Sequence, residues 1–475
     1  MDLKGLTSIF PKDRVALEPE HLAAFRDDIT DADPRMAGAA VWPESVEEIQ
    51  ALVRWAGESG VPLTPRVANQ NVGGLAIPES GGVVVDFTRM NRILEFSRED
   101  MYAIIEPGVT QEQLKAYLEE HAPELRIGYS LAPPDTSVLL NCLMDGLTNY
   151  SLRIGSMSEA ILGLEAVLHD ARVIKTGAWG VGPVPYGRPP LPDLTGLFVA
   201  WLGTTGIVTR GVLALWPKHP LRERLFILAQ QLDATFAMVK RLVRLEICDD
   251  LGVLTWPTGR MMLGVERPGT ERAEGEPVCF VYLDISAETP SEMDGKIAAA
   301  RRVLAETGAG GALTGPLFVA DLVTALPEMV KYSDFPTDLD FLTKSKGGGM
   351  TWVGTYGPMS TITSCCQACM DRMVEHGFPP AVVCRAMKTG HFAVLRFLEV
   401  FDRSSPEEMA RVRTLNLELF DLALGYGYVQ YKPPLSVLPR LHARMDPATL
   451  KTMQELKKML DPRGIFCPSN LGLVE

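Results

Sequence analysis

The sequence lacks the features of several large protein classes. Its 475 residues contain no run of 18 consecutive apolar residues, so we expect no transmembrane helix. Eight cysteines are too few for a disulfide scaffold in a chain of this length, and they indicate a reducing, cytoplasmic setting. The chain has 46 basic and 59 acidic residues. Because neutralising nucleic-acid phosphates needs clustered Lys and Arg, this balance disfavours a general nucleic-acid binder.

Several short motifs are also missing. There is neither a Walker pattern nor a Gly-x-Gly-x-x-Gly run, which disfavours a P-loop or Rossmann site. The first 20 residues lack the apolar core and small-residue cleavage site of a secretory signal. Cys365, Cys366 and Cys369 fall in one predicted helix without His or Cys partners at zinc-finger spacing. We therefore expect core cysteines and no metal site.

Local patterns predict a mixed fold. A capping box at Ser45 and Glu48 and a stop at Gly60 predict a helix over 45–59, and Thr110 opens a second helix with the same pattern. The β-branched run VVVDF predicts a buried strand. Beyond about residue 219, longer strand-like and helical segments alternate, which favours a sheet with helices on one face. The predicted fold class is α+β.

The loop RVANQNVGG precedes that buried strand. A diphosphate needs several backbone N–H donors aimed at one point, and Asn and Gly accept the positive φ angles that such a nest requires. An ordinary surface loop is the alternative interpretation. The candidate anion-binding residues are Arg66, Val67, Ala68, Asn69, Gln70, Asn71, Val72 and Gly73.

Two stretches carry a resemblance to a known family. RVANQNVGG with GGVVVDFTRMNRILEFSREDMYAIIEPG, and GLEAVLHDARVIKTG with FVAWLGTTGIVTRGVLALWPKHP, resemble the FAD-binding domain of the vanillyl-alcohol oxidase and p-cresol methylhydroxylase (PCMH-type) superfamily. The segments GGGMTWVGTYGP and GYVQYK resemble its phenol-oxidising branch. The resemblance implies an FAD-binding domain of two subdomains over 1–219, a substrate domain with an antiparallel sheet over 220–424, and a C-terminal segment, 425–475, that returns to the FAD domain.

The resemblance also implies FAD as the cofactor. Further contacts to it are expected from residues of three segments: Pro134, Asp135, Asn141, Gly146, Arg153, Gly155, Ser156, Gly206, Ile207, Val208 and Asn470. In many relatives a His or Tyr attaches FAD covalently, but the segment TDLDFLTKSKGGG has neither, and the diphosphate loop has no His or Cys. We therefore predict tightly bound, noncovalent FAD.

Four residues are catalytic candidates. Tyr431 and Lys432 resemble the Tyr-Arg pair with which the phenol branch binds phenolate, although Lys lacks the planar fork of Arg. Arg385 is expected on a strand over the flavin, where it could pair with a substrate carboxylate. His391 is suited to proton abstraction near neutral pH. Val72 stands where the branch often has a second phenolate-binding Tyr.

The leading functional hypothesis is an FAD-dependent oxidoreductase that oxidises an aromatic alcohol, an alkylphenol or a related donor. A 2-hydroxy-acid dehydrogenase of the glycolate or D-lactate type is an alternative, although its His-x-x-Gly-Asp-Gly-Asn-x-His metal run is missing. The chain could also be the flavin-binding subunit of an electron-transfer complex, passing electrons to a cytochrome or another acceptor protein. A homodimer is expected by analogy alone.

The noncovalent linkage can be tested directly. Acid precipitation of the purified yellow protein should leave FAD in the supernatant, because no bond would hold the flavin once the fold is lost. Flavin absorbance in both fractions gives the measurement, and a flavoprotein with a covalent histidyl linkage is the control. A yellow pellet would contradict the prediction.

Overall fold

A computed structural model describes residue 3 and residues 5–68, 73–327, 330, 333–344 and 347–474 of the chain. Within these residues, the strands form three larger sheets and one two-stranded ribbon. The first two sheets use strands from the amino-terminal half, and the third uses strands from residue 221 onward. This arrangement of helices and antiparallel sheets confirms the α+β class.

The first sheet is small and partly parallel. Its strands are β1 (Val15–Ala16), β2 (Ala39–Val41), β3 (Leu63–Arg66) and β4 (Val83–Asp86). β4 lies between β2 and β3 and runs parallel to both. The helix α3 (Val46–Ser59) connects β2 to β3 and begins and ends as predicted. The Ser45 hydroxyl accepts a hydrogen bond from the Glu48 amide, and Gly60 takes the left-handed conformation.

The second sheet is antiparallel. Its strands are β5 (Ile93–Ser97), β6 (Tyr102–Ile105), β8 (Ile161–Val167), β9 (Val173–Lys175) and β10 (Ile207–Ala214), in the order β5-β6-β10-β8-β9. β10 ends at Ala214, and the chain then pairs as β11 (Trp216–Pro217) with β7 (Leu125–Arg126), outside this sheet.

The third sheet is the largest. Its strands are β12 (Leu221–Ala229), β13 (Asp250–Thr255), β14 (Cys279–Ala287), β15 (Leu313–Phe318), β16 (Gly348–Gly357), β17 (Val382–Met387), β18 (Phe392–Asp402) and β19 (Val429–Gln430). They are antiparallel, in the order β15-β12-β14-β13-β17-β18-β16-β19. Alternate residues of these strands pack against helices on one face, while the opposite face points towards the amino-terminal half.

The remaining helices surround these sheets. They are α1 (Leu6–Ile9), α2 (Pro19–Leu22), α4 (Gln111–His121), α5 (Val138–Leu143), α6 (Ser151–Ile154), α7 (Leu232–Leu242), α8 (Trp256–Met262), α9 (Pro290–Thr307), α10 (Val319–Ala325), α11 (Asp340–Thr343), α12 (Ile362–Glu375), α13 (Pro406–Gly425), α14 (Leu438–Arg444) and α15 (Pro447–Leu460). Among the described residues, no helix is long and apolar enough to cross a membrane. Cys365, Cys366 and Cys369 are buried in α12, which confirms them as core residues.

The carboxyl-terminal segment packs against the first sheet. The Leu63 amide donates to the Ile465 carbonyl at 2.7 Å, and the Cys467 amide donates back to Leu63 at 3.1 Å. Lys457 anchors this segment, because its buried ammonium pairs with Asp461 and also donates to the carbonyl of Thr204 at 2.8 Å. The tail is thereby tied to a loop of the amino-terminal half.

Replacing Lys457 tests this anchor. Lys457→Met would leave the buried Asp461 carboxylate without its cation, which typically costs about 3–5 kcal/mol of unfolding free energy. The thermal unfolding midpoint of the flavin-loaded protein should fall markedly. Lys458→Met, at the exposed neighbouring position, is the matched control and should change stability by no more than about 0.5 kcal/mol. Equal midpoints for the two variants would contradict the anchoring role.

Candidate active site

A cavity of about 250 Å³ opens between the amino-terminal half and the third sheet. Its lining combines apolar side chains with glycines and a few polar groups, as is usual for cofactor and substrate sites. The residues predicted for cofactor binding that line the cavity are Arg66, Val67, Ala68, Asn141, Gly206, Ile207 and Val208. Two catalytic candidates, Arg385 and Lys432, line the same cavity.

Part of the predicted diphosphate loop, Asn69, Gln70, Asn71 and Val72, lies outside the described residues. Gly73, which follows, does not line the cavity. A Cβ atom at Gly73 would stand 3.1 Å from the Lys432 carbonyl oxygen. Gly73 therefore lets the end of the loop approach the segment that carries Lys432.

Three of the other predicted cofactor residues do not reach the cavity. Asp135 and Arg153 are exposed, and Pro134 uses its carbonyl to accept a hydrogen bond from the Glu112 amide at 3.0 Å. None of the three is among the residues that line the cavity, so their contacts to FAD stay predictions.

The remaining four predicted residues support the wall from behind. A Cβ atom at Gly146 would overlap the side-chain oxygen of Asn141, so the glycine permits a close approach. Ser156 donates its hydroxyl to the Asp145 carboxylate, and the buried Gly155 precedes it. The Asn470 amide donates to the Leu202 carbonyl at 2.9 Å, and Leu202 itself lines the cavity.

The amino-terminal wall suits a dinucleotide with a diphosphate. Arg66 places a guanidinium at the cavity, 4.7 Å from the centre of the Phe25 ring, and donates to the Ala24 carbonyl at 3.1 Å. Its buried Nε has no hydrogen-bond partner among the described residues, and burial lowers the pKa of the group. Gly206 and the neighbouring Gly203 leave the wall without side chains at two points. These residues fit FAD: a donor for an anion and backbone open to close approach.

The opposite wall is the cavity-facing side of the third sheet. Val383 of β17 is opposite Arg396 of β18, and Arg385 is opposite Val394. Because side chains alternate along a strand, Arg385 and Arg396 point to the same face as diagonal neighbours. Both line the cavity.

Two glycines make room for aromatic side chains on this wall. A Cβ atom at Gly354 would lie 2.9 Å from the ring of Tyr431, and one at Gly252 would overlap the ring of Tyr282. Trp352, two residues before Gly354, points to the same side and lines the cavity. The wall formed by the third sheet is therefore aromatic as well as cationic.

Arg385 is buried and its charge is already balanced. Its Nη1 lies 3.4 Å from the Asp250 carboxylate and donates to the Thr148 carbonyl at 2.7 Å. The same carboxylate accepts the hydroxyls of Tyr282, at 3.0 Å, and of Ser151. Although burial opposes the charge, Asp250 and Tyr282 raise the pKa of Arg385, so the guanidinium stays charged and in place.

Arg396 and Lys432 differ from Arg385. Neither has an ion-pair partner within the part of the chain that the structure describes. Arg396 donates its Nε to the Tyr431 hydroxyl at 2.7 Å, and its guanidinium lies 4.8 Å from the Trp352 ring centre. Burial and the neighbouring Arg396 lower the pKa of Lys432 to about 7. Two cationic groups thus share one end of the cavity, and neither forms an ion pair with a described residue.

Tyr431 is held from its other side by Tyr356. The two ring centres are 4.6 Å apart, and the Tyr356 hydroxyl donates to the Asp145 carbonyl at 2.7 Å. Burial raises the pKa of Tyr431, so its hydroxyl is neutral at physiological pH. Tyr431 itself contacts Arg396 behind the cavity surface and supports the guanidinium.

His391 is exposed and lies in the turn between β17 and β18, one residue before β18 begins. It does not line the cavity, so the geometry does not support the proton-abstracting role predicted for it. Arg396 and Trp352 line the cavity but were not among the residues predicted from the sequence. One signal was available: Arg396 is a lone cation within the apolar run FAVLRF, where an unpaired charge is rare without a function.

The matches with known protein families cover both ends of the chain. Residues 37–177 match the FAD binding domain, and residues 438–471 match the C-terminal domain of FAD linked oxidases. The cavity described above lies where these two regions meet the third sheet.

Known relatives agree with this assignment. The glycolate oxidase subunit GlcD of Bacillus subtilis is 31% identical over 227 residues, 46% of each chain, so this match spans about half of that relative. The 4-cresol dehydrogenase (hydroxylating) flavoprotein subunit of Pseudomonas putida is 24% identical over 97% of this chain and 93% of its own. The crystal structure of p-cresol methylhydroxylase with substrate bound shares the fold, with a TM-score of 0.87 and 20% identity over 99% of this chain and 96% of that chain.

Fold and site together define a class, the proteins that combine an FAD-binding domain with a separate antiparallel sheet. Within that class, the chain carries the FAD binding domain and the C-terminal domain of FAD linked oxidases, and it shares the fold of p-cresol methylhydroxylase. Its cofactor is FAD.

The contribution of Arg66 to FAD binding can be measured. Arg66→Met should weaken FAD binding to the apoprotein about 10–100-fold, because a hydrogen bond to a charged group is worth about 1.5–3 kcal/mol. Quenching of FAD fluorescence during titration gives the dissociation constant. Arg54→Met, at an exposed position of α3, is the control and should bind FAD normally. Unchanged affinity in Arg66→Met would remove this residue from the diphosphate site.

Proposed function

We propose that the protein is an FAD-dependent oxidoreductase whose donor is an alkylphenol or aromatic alcohol, bound with its oxygen at Arg396 and Lys432. The observation that carries the proposal is the pair of unbalanced cationic groups beside aromatic side chains at one end of the cavity. Both side chains are half-buried at the cavity, and an anionic or strongly polar ligand stabilises a partly desolvated cation that has no counter-ion.

The chain's own residues would bind and orient the donor. Arg396 and Lys432 supply N–H donors to the substrate oxygen, and Trp352 and Tyr282 offer aromatic surfaces for its ring. Leu254 and Val383, on neighbouring strands, complete an apolar floor that excludes water. The chemistry that FAD supplies when bound is the acceptance of a hydride equivalent from the donor's C–H bond.

The names of relatives are consistent with this donor class. One relative aligned over most of the chain is a 4-cresol dehydrogenase subunit, and one structure sharing the fold is that of p-cresol methylhydroxylase. A cresol is a methyl-substituted phenol, so it carries the aromatic ring and the acidic hydroxyl that the cavity would accommodate.

A 2-hydroxy acid is a second candidate donor. The 31% identity to a glycolate oxidase subunit favours it, and a carboxylate would also satisfy Arg396 and Lys432. A third arrangement, in which this chain passes electrons to a partner protein, is suggested by the word "subunit" in the names of both relatives. These candidates differ in which compounds reduce the bound flavin.

Anaerobic reduction of the flavin distinguishes the donors. The loaded protein should lose its visible flavin absorbance with 4-alkylphenols or benzylic alcohols. Bleaching by 2-hydroxy acids alone would replace the first candidate with the second. If none of these compounds bleaches the flavin of the isolated chain, and the chain copurifies with a cytochrome or an iron–sulfur protein, the chain works as a subunit.

The role of Arg396 is tested by substitution. Arg396→Met should weaken donor binding about 10–100-fold, because it removes a charged hydrogen-bond donor, while FAD content stays the same. The dependence of the bleaching rate on donor concentration provides the measurement. Lys388→Met, an exposed cation in the β17–β18 turn that pairs with Glu159, is the control. Donor affinity that is equal in both variants would move the donor oxygen away from Arg396.

A further inference from the structure

The surroundings of Lys432 suggest a role beyond attraction of an anion. Lys432 has a positive φ of 54° and lines the cavity immediately after Tyr431. Its amine lies 5.4 Å from the centre of the Tyr431 ring. The hydroxyl of the same tyrosine accepts a hydrogen bond from Arg396. The amine and the guanidinium therefore face the same small volume from two different elements.

The groups around the amine do not balance two positive charges. Arg396 approaches from β18, Tyr431 from the same segment, and Tyr356 from β16, and both tyrosines are neutral at physiological pH because burial raises their pKa values. Asp145, after α5, is the one nearby carboxylate among the described groups that influence the amine. Its oxygen already accepts the hydroxyls of two serines, at 2.6 Å in the case of Ser158.

Loss of a proton from one of the two cations would relieve the repulsion between their charges. Arginine does not deprotonate in proteins, whereas a buried lysine readily does. Burial and the Arg396 charge lower the pKa of Lys432 to about 7, so the amine is largely neutral in slightly alkaline solution. The cavity then holds one fixed cation and one proton acceptor side by side.

We propose that Lys432 accepts the hydroxyl proton of a phenolic donor as the donor binds, and that the phenolate is then held between the new ammonium and the Arg396 guanidinium. The inference rests on the proposed function, since it places a phenol at this end of the cavity. The donor O–H bond breaks, an N–H bond forms on Lys432, and the electron count of neither partner changes. The proton stays within the complex.

Electrostatics favours this transfer in the bound state. An oxyanion beside the amine stabilises the protonated form of Lys432, and two cations beside the oxygen stabilise the phenolate. Each shift supports the other. A free phenol has a pKa near that of tyrosine, about 10, so the site must supply this stabilisation to ionise it at neutral pH.

The test counts protons during ligand binding. The probe is 4-chlorophenol, which has no benzylic carbon to oxidise, added to the FAD-loaded enzyme. Calorimetry in two buffers with different ionisation enthalpies gives the number of protons released, and the ultraviolet band of phenolate reports ionisation of the ligand. Both readouts are independent of turnover.

The wild-type enzyme should bind phenolate at pH 8 with almost no proton released, because the neutral amine keeps the proton. At pH 6 Lys432 is already charged, so about one proton per site should enter the buffer, with the change centred near pH 7. Lys432→Arg, which keeps the positive charge but cannot accept a proton, should release about one proton at both pH values.

The outcomes separate this inference from the proposed function. Release of a proton by the wild-type enzyme at pH 8, or binding without a phenolate band, would overturn the role of Lys432 while phenol binding itself remained. A wild-type enzyme that does not bind 4-chlorophenol would overturn both. FAD content of Lys432→Arg equal to that of the wild type would show that the altered proton count does not arise from a damaged fold.

Discussion

The pairing of β17 with β18 is the constraint on which the candidate donor site depends. Its register sets Val383 opposite Arg396, and so turns Arg385 and Arg396 to the same side of the third sheet. A slip of one residue in β18 would point Arg396 into the helix-covered core and remove its charge from the cavity wall. The two arginines therefore line one wall because the antiparallel pairing of an eight-stranded sheet fixes this register.

The two arginines of this wall then take different roles because their surroundings differ. Asp250 balances Arg385, and its remaining lone pairs are occupied by Tyr282 and Ser151. Arg385 is thus a fixed part of the wall, and the carboxylate-binding role expected for it would compete with Asp250. Arg396 instead contacts the Tyr431 hydroxyl and the Trp352 ring, which leaves its charge available to a ligand.

Local sequence signals predicted the local structure well. Caps at Ser45 and Thr110 and the stop at Gly60 are present, because each depends on residues within one turn. Lys432 was placed in the cavity through resemblance to a family motif. The prediction failed for residues whose position depends on distant pairing: Arg396 and Trp352 come together only through β16 and β18. His391 lies in the turn one residue before β18, and a turn residue has no defined sheet face.

The charge of the cavity contrasts with that of the whole chain. The sequence carries a net charge of −13, so long-range attraction of an anionic donor to the surface is not expected. Arg66 at the cofactor wall and Arg396 with Lys432 at the donor wall nevertheless make the interior cationic. Salt screens exposed charges far more than buried ones, so this selection operates at short range, after entry. Under the proposed function, such an enzyme would discriminate by the charge that a ligand can place inside the cavity, and proton transfer to Lys432 would let a neutral phenol enter and become the anion there.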